Sequence, residues 1–153
     1  MLEQGDLALL KDPVAESLLQ SRELARLAYT WRDGSPRVVP IWFYWNGEEV
    51  VLGTPPRAPK LKVLQDRPQV ALSIDSDTFP YRALQIRGIA RLEKLDSISP
   101  EYQASATRYF GEEGGRAWLE QVRRTPGGMT RIRVKPEWVA IIDFETRFPS
   151  AMS

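Results

Sequence analysis

The sequence of 153 residues contains no cysteine and no histidine, and these two absences exclude many kinds of site. Without cysteine there is no disulfide, no thiolate nucleophile and no Cys-ligated zinc or iron–sulfur centre. Without histidine there is no Ser–His–Asp triad, no His-ligated metal and no His-ligated haem. A carboxylate-only metal site remains open, but Asp75 and Asp77 lack the rest of a calcium-binding loop. If the protein is an enzyme, we expect it to take its reactive chemistry from a bound cofactor.

The sequence also lacks blocks of like charge and long apolar runs. Its formal net charge is +1, so nonspecific binding to nucleic acid or to an anionic membrane is not favoured. No apolar run approaches the roughly 20 residues that span a bilayer. The N-terminal residues 1–13 lack the basic region of a signal peptide. We therefore expect a cytoplasmic protein that binds neither membrane nor nucleic acid.

No linker, repeat or low-complexity tract divides the chain, and its length suits one domain with a sizeable core. Residues 1–153 are predicted to form a single domain. Residues 1–22 are a helical N-terminal segment, in which Asp12 precedes Pro13 as an N-cap precedes a first-turn proline. Residues 145–153 have no periodicity and are predicted to form an irregular tail.

Hydrophobic alternation predicts three strands in the first half of the chain, over Leu24–Trp31, Pro36–Trp45 and Glu48–Gly53. The pairs Asp33-Gly34 and Asn46-Gly47 between them are strong hairpin signals. The three strands are therefore expected to form an antiparallel meander.

Four further strands are predicted at Pro68–Asp75, Arg82–Glu93, Met129–Lys135 and Trp138–Phe144, the last two separated at Pro136. Helices are predicted over Arg57–Asp66, from Ser99-Pro100 to about Phe110, and over about Glu112–Arg124, with Gly111 between the last two. About seven strands with a few helices indicate a closed or half-closed antiparallel barrel with helices packed outside.

The predicted second strand is apolar on both of its faces. Val39, Ile41 and Phe43 lie on one face, and Val38, Pro40 and Trp42 lie on the other. A strand in a barrel wall needs only one apolar face, so a planar ligand or another subunit is expected to cover the second. Pro40 lacks a ladder donor and so indicates an edge or a bulge.

Three cations lie where the predicted helix over Arg57–Asp66 begins, namely Arg57, Lys60 and Lys62. A helix N-terminus has unpaired N–H groups and attracts anions. Together with the Thr54 hydroxyl, these side chains predict a phosphate clamp and hence a phosphorylated cofactor. The alternative interpretation is an ordinary solvated basic face.

Several segments, taken in their order along the chain, resemble a known protein family. The FMN-binding split-barrel family is similar at Arg37–Phe43, Asn46-Gly47, Thr54, Arg57, Lys60 and Leu64–Pro68. This is the pyridoxamine 5'-phosphate-oxidase-like group, which includes flavin and deazaflavin (coenzyme F420) reductases. The resemblance covers roughly Leu24 to Leu92. It implies a mainly β (α+β) fold, a split antiparallel β-barrel with flanking helices, and a homodimer with two cofactors at the subunit interface.

The resemblance also implies which residues bind the cofactor, whereas no catalytic residue is assigned and no metal site is expected. Val38, Val39, Pro40 and Ile41 would border the flavin ring, Thr54, Arg57, Lys60 and Lys62 would bind the phosphate, Gln85 would approach the ring or ribityl chain, and Trp138 would come from the other subunit. The C-terminal Arg and His pair of true pyridoxamine phosphate oxidases is not evident, so that activity is not predicted.

The resulting hypothesis is a flavin-dependent oxidoreductase that holds FMN and passes hydride to or from a small-molecule substrate. Coenzyme F420 is the alternative cofactor. A non-catalytic flavin-binding or stress-related protein is a second hypothesis, and a cofactor-free interaction module is a third. Turnover of NAD(P)H or reduced F420 with an acceptor discriminates the first hypothesis from the second, whereas the third predicts a colourless protein whose folding is insensitive to substitution of Arg57 or Lys60.

Overall fold

A computed structural model describes residues 1–147 of the chain. The helices are a short 3-10 helix (Leu7–Lys11), α1 (Pro13–Leu19), α2 (Leu61–Leu64) and α3 (Pro100–Arg123). The strands are β1 (Ala25–Thr30), β2 (Pro36–Ile41), β3 (Tyr44–Trp45), β4 (Val50–Thr54), β5 (Gln69–Asp75), β6 (Arg82–Leu95) and β7 (Met129–Asp143). Residues 148–153, and with them most of the predicted C-terminal tail, lie outside the described part.

All seven strands form one antiparallel sheet in the order β2-β1-β5-β6-β7-β4-β3. Alternate residues of the long strands face the core, as the sequence predicts. Val70, Leu72 and Ile74 of β5 are buried, and so are Leu84 and Ile86 of β6. This seven-strand sheet with its helices confirms the predicted class, an α+β split barrel.

The predicted three-strand meander is wrong. The strand that begins at Pro36 ends at Ile41, and Trp42 and Phe43 leave the ladder. Tyr44–Trp45 then forms β3, which pairs with β4 at the opposite end of the sheet. The turn at Asn46-Gly47 was predicted correctly, but it joins β4 to a separate two-residue strand and not to β2.

The crossing at Trp42 and Phe43 forces the sheet to close. A flat sheet of seven strands is about 28 Å wide from edge to edge, at roughly 4.7 Å per strand. Two residues between Ile41 and Tyr44 allow at most about 11 Å. The two edges must therefore meet, although no ladder joins β2 to β3 within residues 1–147. Covalent connection without hydrogen-bonded pairing makes the barrel a split one.

Helix α3 covers this split and satisfies the backbone there. The Ser105 hydroxyl donates to the Phe43 carbonyl oxygen at 3.1 Å, and the Arg108 guanidinium donates to the same oxygen. No strand of residues 1–147 pairs with that carbonyl, so these two donors replace a ladder bond that is lost at the crossing. Phe43 itself is fully buried in the core.

Trp42 is enclosed by aromatic side chains of α3, which explains one apolar face of the predicted second strand. Its ring stacks on Tyr109 at 5.0 Å between centroids and contacts Tyr102 at 5.4 Å. Phe110 and Trp118 meet it edge-on. Between Phe110 and Trp118 the helix is interrupted at Gly111, whose φ of 81° lies in the left-handed region. The predicted interruption at Gly111 is thus confirmed, and it lets the two halves of α3 approach Trp42 from different sides.

The two strands predicted on either side of Pro136 are one continuous strand, β7. Its ladder with β6 shifts register between Arg87 and Gly88, opposite Pro136 and Trp138, so Glu137 is an extra residue in a bulge. Proline is tolerated at a bulge because no ladder donor is needed there. A Cβ atom at Gly88 would lie 2.1 Å from the Lys135 carbonyl oxygen, so glycine is required by the neighbouring backbone.

We expect Trp42→Ala to reduce the free energy of unfolding by about 3–5 kcal/mol, because the substitution leaves a void among four aromatic rings at the barrel's closure. The measurement is urea denaturation followed by circular dichroism. Phe79→Ala is the matched control, since Phe79 is 68% exposed, and it should lose less than about 1 kcal/mol. Equal losses in the two variants would contradict the role given to Trp42.

Candidate functional site

A cavity of about 960 Å³ lies between α2 and β6. This volume is in the range of sites that hold small molecules and cofactors, which is roughly 300–1,000 Å³. Its apolar surface comes from Leu61 and Leu64 of α2 and from Ile89 and Leu92 of β6. These side chains can bury a flat or hydrophobic part of a ligand.

The charged residues that line the cavity are all cationic. They are Arg57, Lys62, Arg91 and Lys94, and no aspartate or glutamate is among the described lining residues. Arg91 has a carboxylate partner, since its guanidinium lies 2.8 Å from Glu49. The other three take part in no ion pair within residues 1–147. Such an excess of unneutralised positive charge favours an anionic ligand.

The helix next to the cavity is shorter than the sequence predicts. It begins at Leu61 and not at Arg57, because the segment before it contains Pro55, Pro56 and Pro59. The residue before a proline is disfavoured in the helical region, so Ala58 stays outside the helix. Arg57 therefore projects from a turn that connects β4 to α2.

The backbone at the start of α2 does not provide the free donors expected of a helix N-terminus. The amides of Leu61, Lys62 and Val63 donate to the carbonyl oxygens of Ala58, Pro59 and Lys60, respectively, at 3.1–3.2 Å. With these donors occupied and only four residues in the helix, attraction of an anion depends on the side chains around the cavity.

Lys60 has a different environment from Arg57 and Lys62. It is half-buried at the N-cap of α2 and is not one of the cavity-lining residues. Burial lowers the pKa of Lys60 below its usual 10.5, because desolvation disfavours the charged ammonium. No ion pair within residues 1–147 compensates this desolvation.

Thr54 ends β4 and is 3% exposed. It is the cross-strand partner of Thr130 on β7, and Thr130 lines the cavity. The Thr54 hydroxyl, which was predicted to bind phosphate, thus lies behind the cavity wall. At the wall itself the threonine is Thr130 of the neighbouring strand.

The remaining predicted residues lie away from this cavity in a single chain. Val38–Ile41 lie on edge strand β2, where Pro40 fits the predicted edge. Gln85 is on β6 opposite Ser73 and Ala140. Trp138 contacts its own chain, with the Arg87 guanidinium 3.8 Å from its ring centroid.

Two cavity residues, Arg91 and Lys94, were not predicted as part of the site. They are three positions apart on a strand, so they start from opposite faces and form no recognisable pattern. Only the packing of α2 against β6 brings them together with Arg57 and Lys62. No local signal in the sequence could have identified them.

The lining residues fit the chemistry of a flavin-type cofactor. Such a molecule combines a flat ring system with a phosphate-bearing tail, and the cavity combines apolar side chains with cations. Within residues 1–147 no cluster of acidic residues could hold a metal ion. None of the helices in that range has the length and apolarity to cross a bilayer.

Comparison with solved structures identifies proteins of the same fold. A protein described as an F420 reductase is 27% identical, with a TM-score of 0.65, over 82% of this chain and 94% of its own. A conserved hypothetical protein from Mycobacterium tuberculosis is 18% identical, with a TM-score of 0.71, over 94% and 91% of the two chains. The heme storage protein HutZ from Vibrio cholerae is 20% identical, with a TM-score of 0.63, over 86% and 93%. The two proteins below 25% identity share the fold alone.

A search of curated protein sequences found no significant match. By contrast, the sequence model of the pyridoxamine 5'-phosphate oxidase family matches residues 12–143, which include all seven strands and all three α-helices. The chain therefore belongs to the pyridoxamine 5'-phosphate oxidase family.

Proposed function

We propose that the protein is an oxidoreductase that binds a flavin-type cofactor and transfers hydride to or from a small-molecule substrate. The observation that carries this proposal is the cavity between α2 and β6, whose described lining residues include four cations and no carboxylate. Membership of a family that includes oxidoreductases supports it, and so does the 27% identity with a protein named as an F420 reductase.

Among flavin-type cofactors, the charge of the cavity favours coenzyme F420 over FMN. Arg57, Lys62 and Lys94 line the cavity without an ion pair among the described residues. One phosphate, as in FMN, is commonly held by one or two cations. The tail of F420 carries carboxylates in addition to its phosphate, so it can pair with all three.

The bound cofactor would supply the hydride-transfer chemistry, which needs no cysteine or histidine from the protein. The contribution of the chain is then binding and exclusion of water. Arg57, Lys62 and Lys94 would hold the anionic tail by charge-assisted hydrogen bonds. Leu61, Leu64 and Leu92 would bury its less polar parts.

A second candidate is non-catalytic binding of the same cofactor for storage or sensing. It is favoured by one observation: the described residues that line the cavity include no carboxylate and no tyrosine, so Lys62 and Lys94 are the ordinary proton-transfer groups among them. Steady-state turnover of reduced F420 or NAD(P)H with a quinone acceptor distinguishes the two candidates, since the storage protein binds the cofactor without turnover.

We also propose that the protein forms a homodimer through strand β2. Within residues 1–147 this strand is paired on one side only, with β1. Val38 on it is 64% exposed, next to the exposed Pro40. Exposed apolar residues on an edge strand favour burial against another copy of the chain. Such a dimer would place Val38–Ile41, which are predicted to border the flavin ring, at the subunit interface.

The double variant Arg57→Ala/Lys62→Ala should bind F420 more weakly by about 2–4 kcal/mol, because both side chains are exposed and each lost charge-assisted hydrogen bond is worth roughly 1–2 kcal/mol after screening by solvent. In terms of Kd this is about 30- to 1,000-fold. The affinity is measured from the absorption spectrum during titration with F420 and, in parallel, with FMN.

The matched control for this titration is Arg116→Ala/Arg124→Ala, which removes the same charge from exposed positions on and after α3. It should leave the affinity within about twofold of that of the wild type. If the cavity variant binds as tightly as this control, the cavity does not hold the cofactor's anionic groups.

Lys60→Met should raise the melting temperature of the cofactor-free protein at pH 7. Below the lowered pKa of Lys60, folding must bury a charged ammonium, and this destabilises the native state. The destabilisation is relieved between the folded pKa and the unfolded value near 10.5, because the unfolded chain then binds more protons. The gain from the substitution should therefore shrink as the pH approaches 10.5. Scanning calorimetry at pH 7 and pH 10 measures it, and an equal gain at both values would contradict the assignment.

Val38→Glu should convert the proposed dimer to a monomer, because it places a charge in the apolar part of the interface. Light scattering coupled to size-exclusion chromatography gives the mass directly. Glu48→Gln, at an exposed turn position, is the control and should leave the mass unchanged. A wild-type protein that elutes as a monomer at micromolar concentration would rule the dimer out.

A further inference from the structure

Six charged side chains form one continuous row on the outside of strands β6 and β7, which we name the charge ladder. Arg91 pairs with Glu49 at 2.8 Å, Glu49 with Arg133 at 3.4 Å, and Arg133 with Glu93 at 3.9 Å. Glu93 also pairs with Arg131, which contacts Glu101 in the first turn of α3 at 3.1 Å. One end of the charge ladder, Arg91, lines the cavity.

Glu49 is the most buried carboxylate of the charge ladder, with a side chain 9% exposed, whereas its partner Arg91 is 64% exposed. The position of Glu49 is fixed from two sides. Its backbone amide donates to the Asn46 side chain at 2.7 Å, and its second carboxylate oxygen lies 3.4 Å from Arg133. A buried carboxylate held in this way is a rigid anchor for an exposed guanidinium.

Arg91 donates one hydrogen bond to Glu49 through its terminal nitrogen Nη2. Its Nε and its other terminal nitrogen donate to no acceptor within residues 1–147. A guanidinium has five donors in a rigid fork, so anchoring one corner orients the rest without consuming them.

We propose that Glu49 is a positioning residue that holds the Arg91 guanidinium for recognition of the ligand's anionic group. This inference rests on the proposed anion-binding role of the cavity. Anchoring removes rotamer freedom from a long exposed side chain before the ligand arrives, so less is lost on binding.

Simple electrostatics predicts the opposite effect of removing Glu49. Loss of a negative charge near a cationic cavity should strengthen the attraction of any anion. Positioning predicts a loss of affinity instead. The sign of the change in affinity therefore separates the two accounts. If the charge ladder only stabilised the fold, substitution of Glu49 would not change the affinity differently from substitution of another carboxylate of the ladder.

The experiment is isothermal titration of the full-length protein with inorganic pyrophosphate and, separately, with F420. Glu49→Gln should weaken binding roughly tenfold, which is comparable to the loss of one charged hydrogen bond. Glu49→Asp leaves the net charge unchanged but shortens the side chain by one methylene group, so it should also weaken binding. This variant replaces Glu49→Gln in the experiment if Glu49→Gln does not fold. In the Arg91→Ala background, Glu49→Gln should cause no further loss.

The matched control is Glu93→Gln, because Glu93 belongs to the same charge ladder and pairs with Arg131 and Arg133 but not with Arg91. It should lower the melting temperature about as much as Glu49→Gln does and leave the affinity unchanged or tighter. Unchanged or tighter binding by Glu49→Gln, or equal weakening by both variants, would overturn the inference.

The outcome is distinguishable from failure of the proposed function. If F420 does not bind while pyrophosphate binding weakens in Glu49→Gln, the cofactor assignment fails and the positioning role stands. If F420 binding depends on Arg57 and Lys62 but not on Glu49, the function stands and the positioning role fails. If the wild-type protein binds neither ligand, both are wrong.

Discussion

The two-residue connection between β2 and β3 is the constraint on which the rest of the structure depends. Trp42 and Phe43 join strands that lie at opposite ends of the sheet order, so the sheet can exist only if it rolls up. Because no ladder closes the gap within residues 1–147, α3 must do so, through Ser105 and Arg108 on the Phe43 carbonyl oxygen and through the aromatic rings around Trp42. A rolled sheet encloses a core, and α2 packs beside β6 with its Leu64 side chain buried in that core.

The distribution of ion pairs gives the cavity its chemistry. Along the outside of β6 and β7, arginines and glutamates pair into the charge ladder, in which Arg91, Arg131 and Arg133 are each neutralised by a carboxylate. The cations around α2 are different, since Arg57, Lys62 and Lys94 have no carboxylate partner among the described residues. Three unpaired cations thus line one apolar cavity in a protein with a net charge of only +1. Such a local excess of positive charge favours binding of an anionic ligand. Nearby, desolvation of the Lys60 ammonium destabilises the folded protein, which is a cost typical of functional sites.

Local patterns in the sequence were sufficient for the strands, the capped helices and the fold class, since alternation, Asp12-Pro13, Ser99-Pro100 and Gly111 act over a few residues. They failed where a distant contact decides the outcome. The sequence pattern predicts Trp42 as part of a continuous apolar strand, whereas its contacts with α3 place it outside the sheet. Pro136 reads as a strand break, and only its position opposite Gly88 makes it part of a bulge. At the candidate site, Arg57 and Lys62 were predicted from a cluster in sequence, whereas Arg91 and Lys94 become neighbours of that cluster only through packing.

The most direct test of the account is a crystal structure of the protein grown with F420, with a second crystal grown with FMN for comparison. The account predicts that the phosphate and carboxylates of the cofactor tail contact Arg57, Lys62 and Lys94, between α2 and β6. Cofactor density elsewhere on the protein, with this cavity containing solvent only, would contradict it.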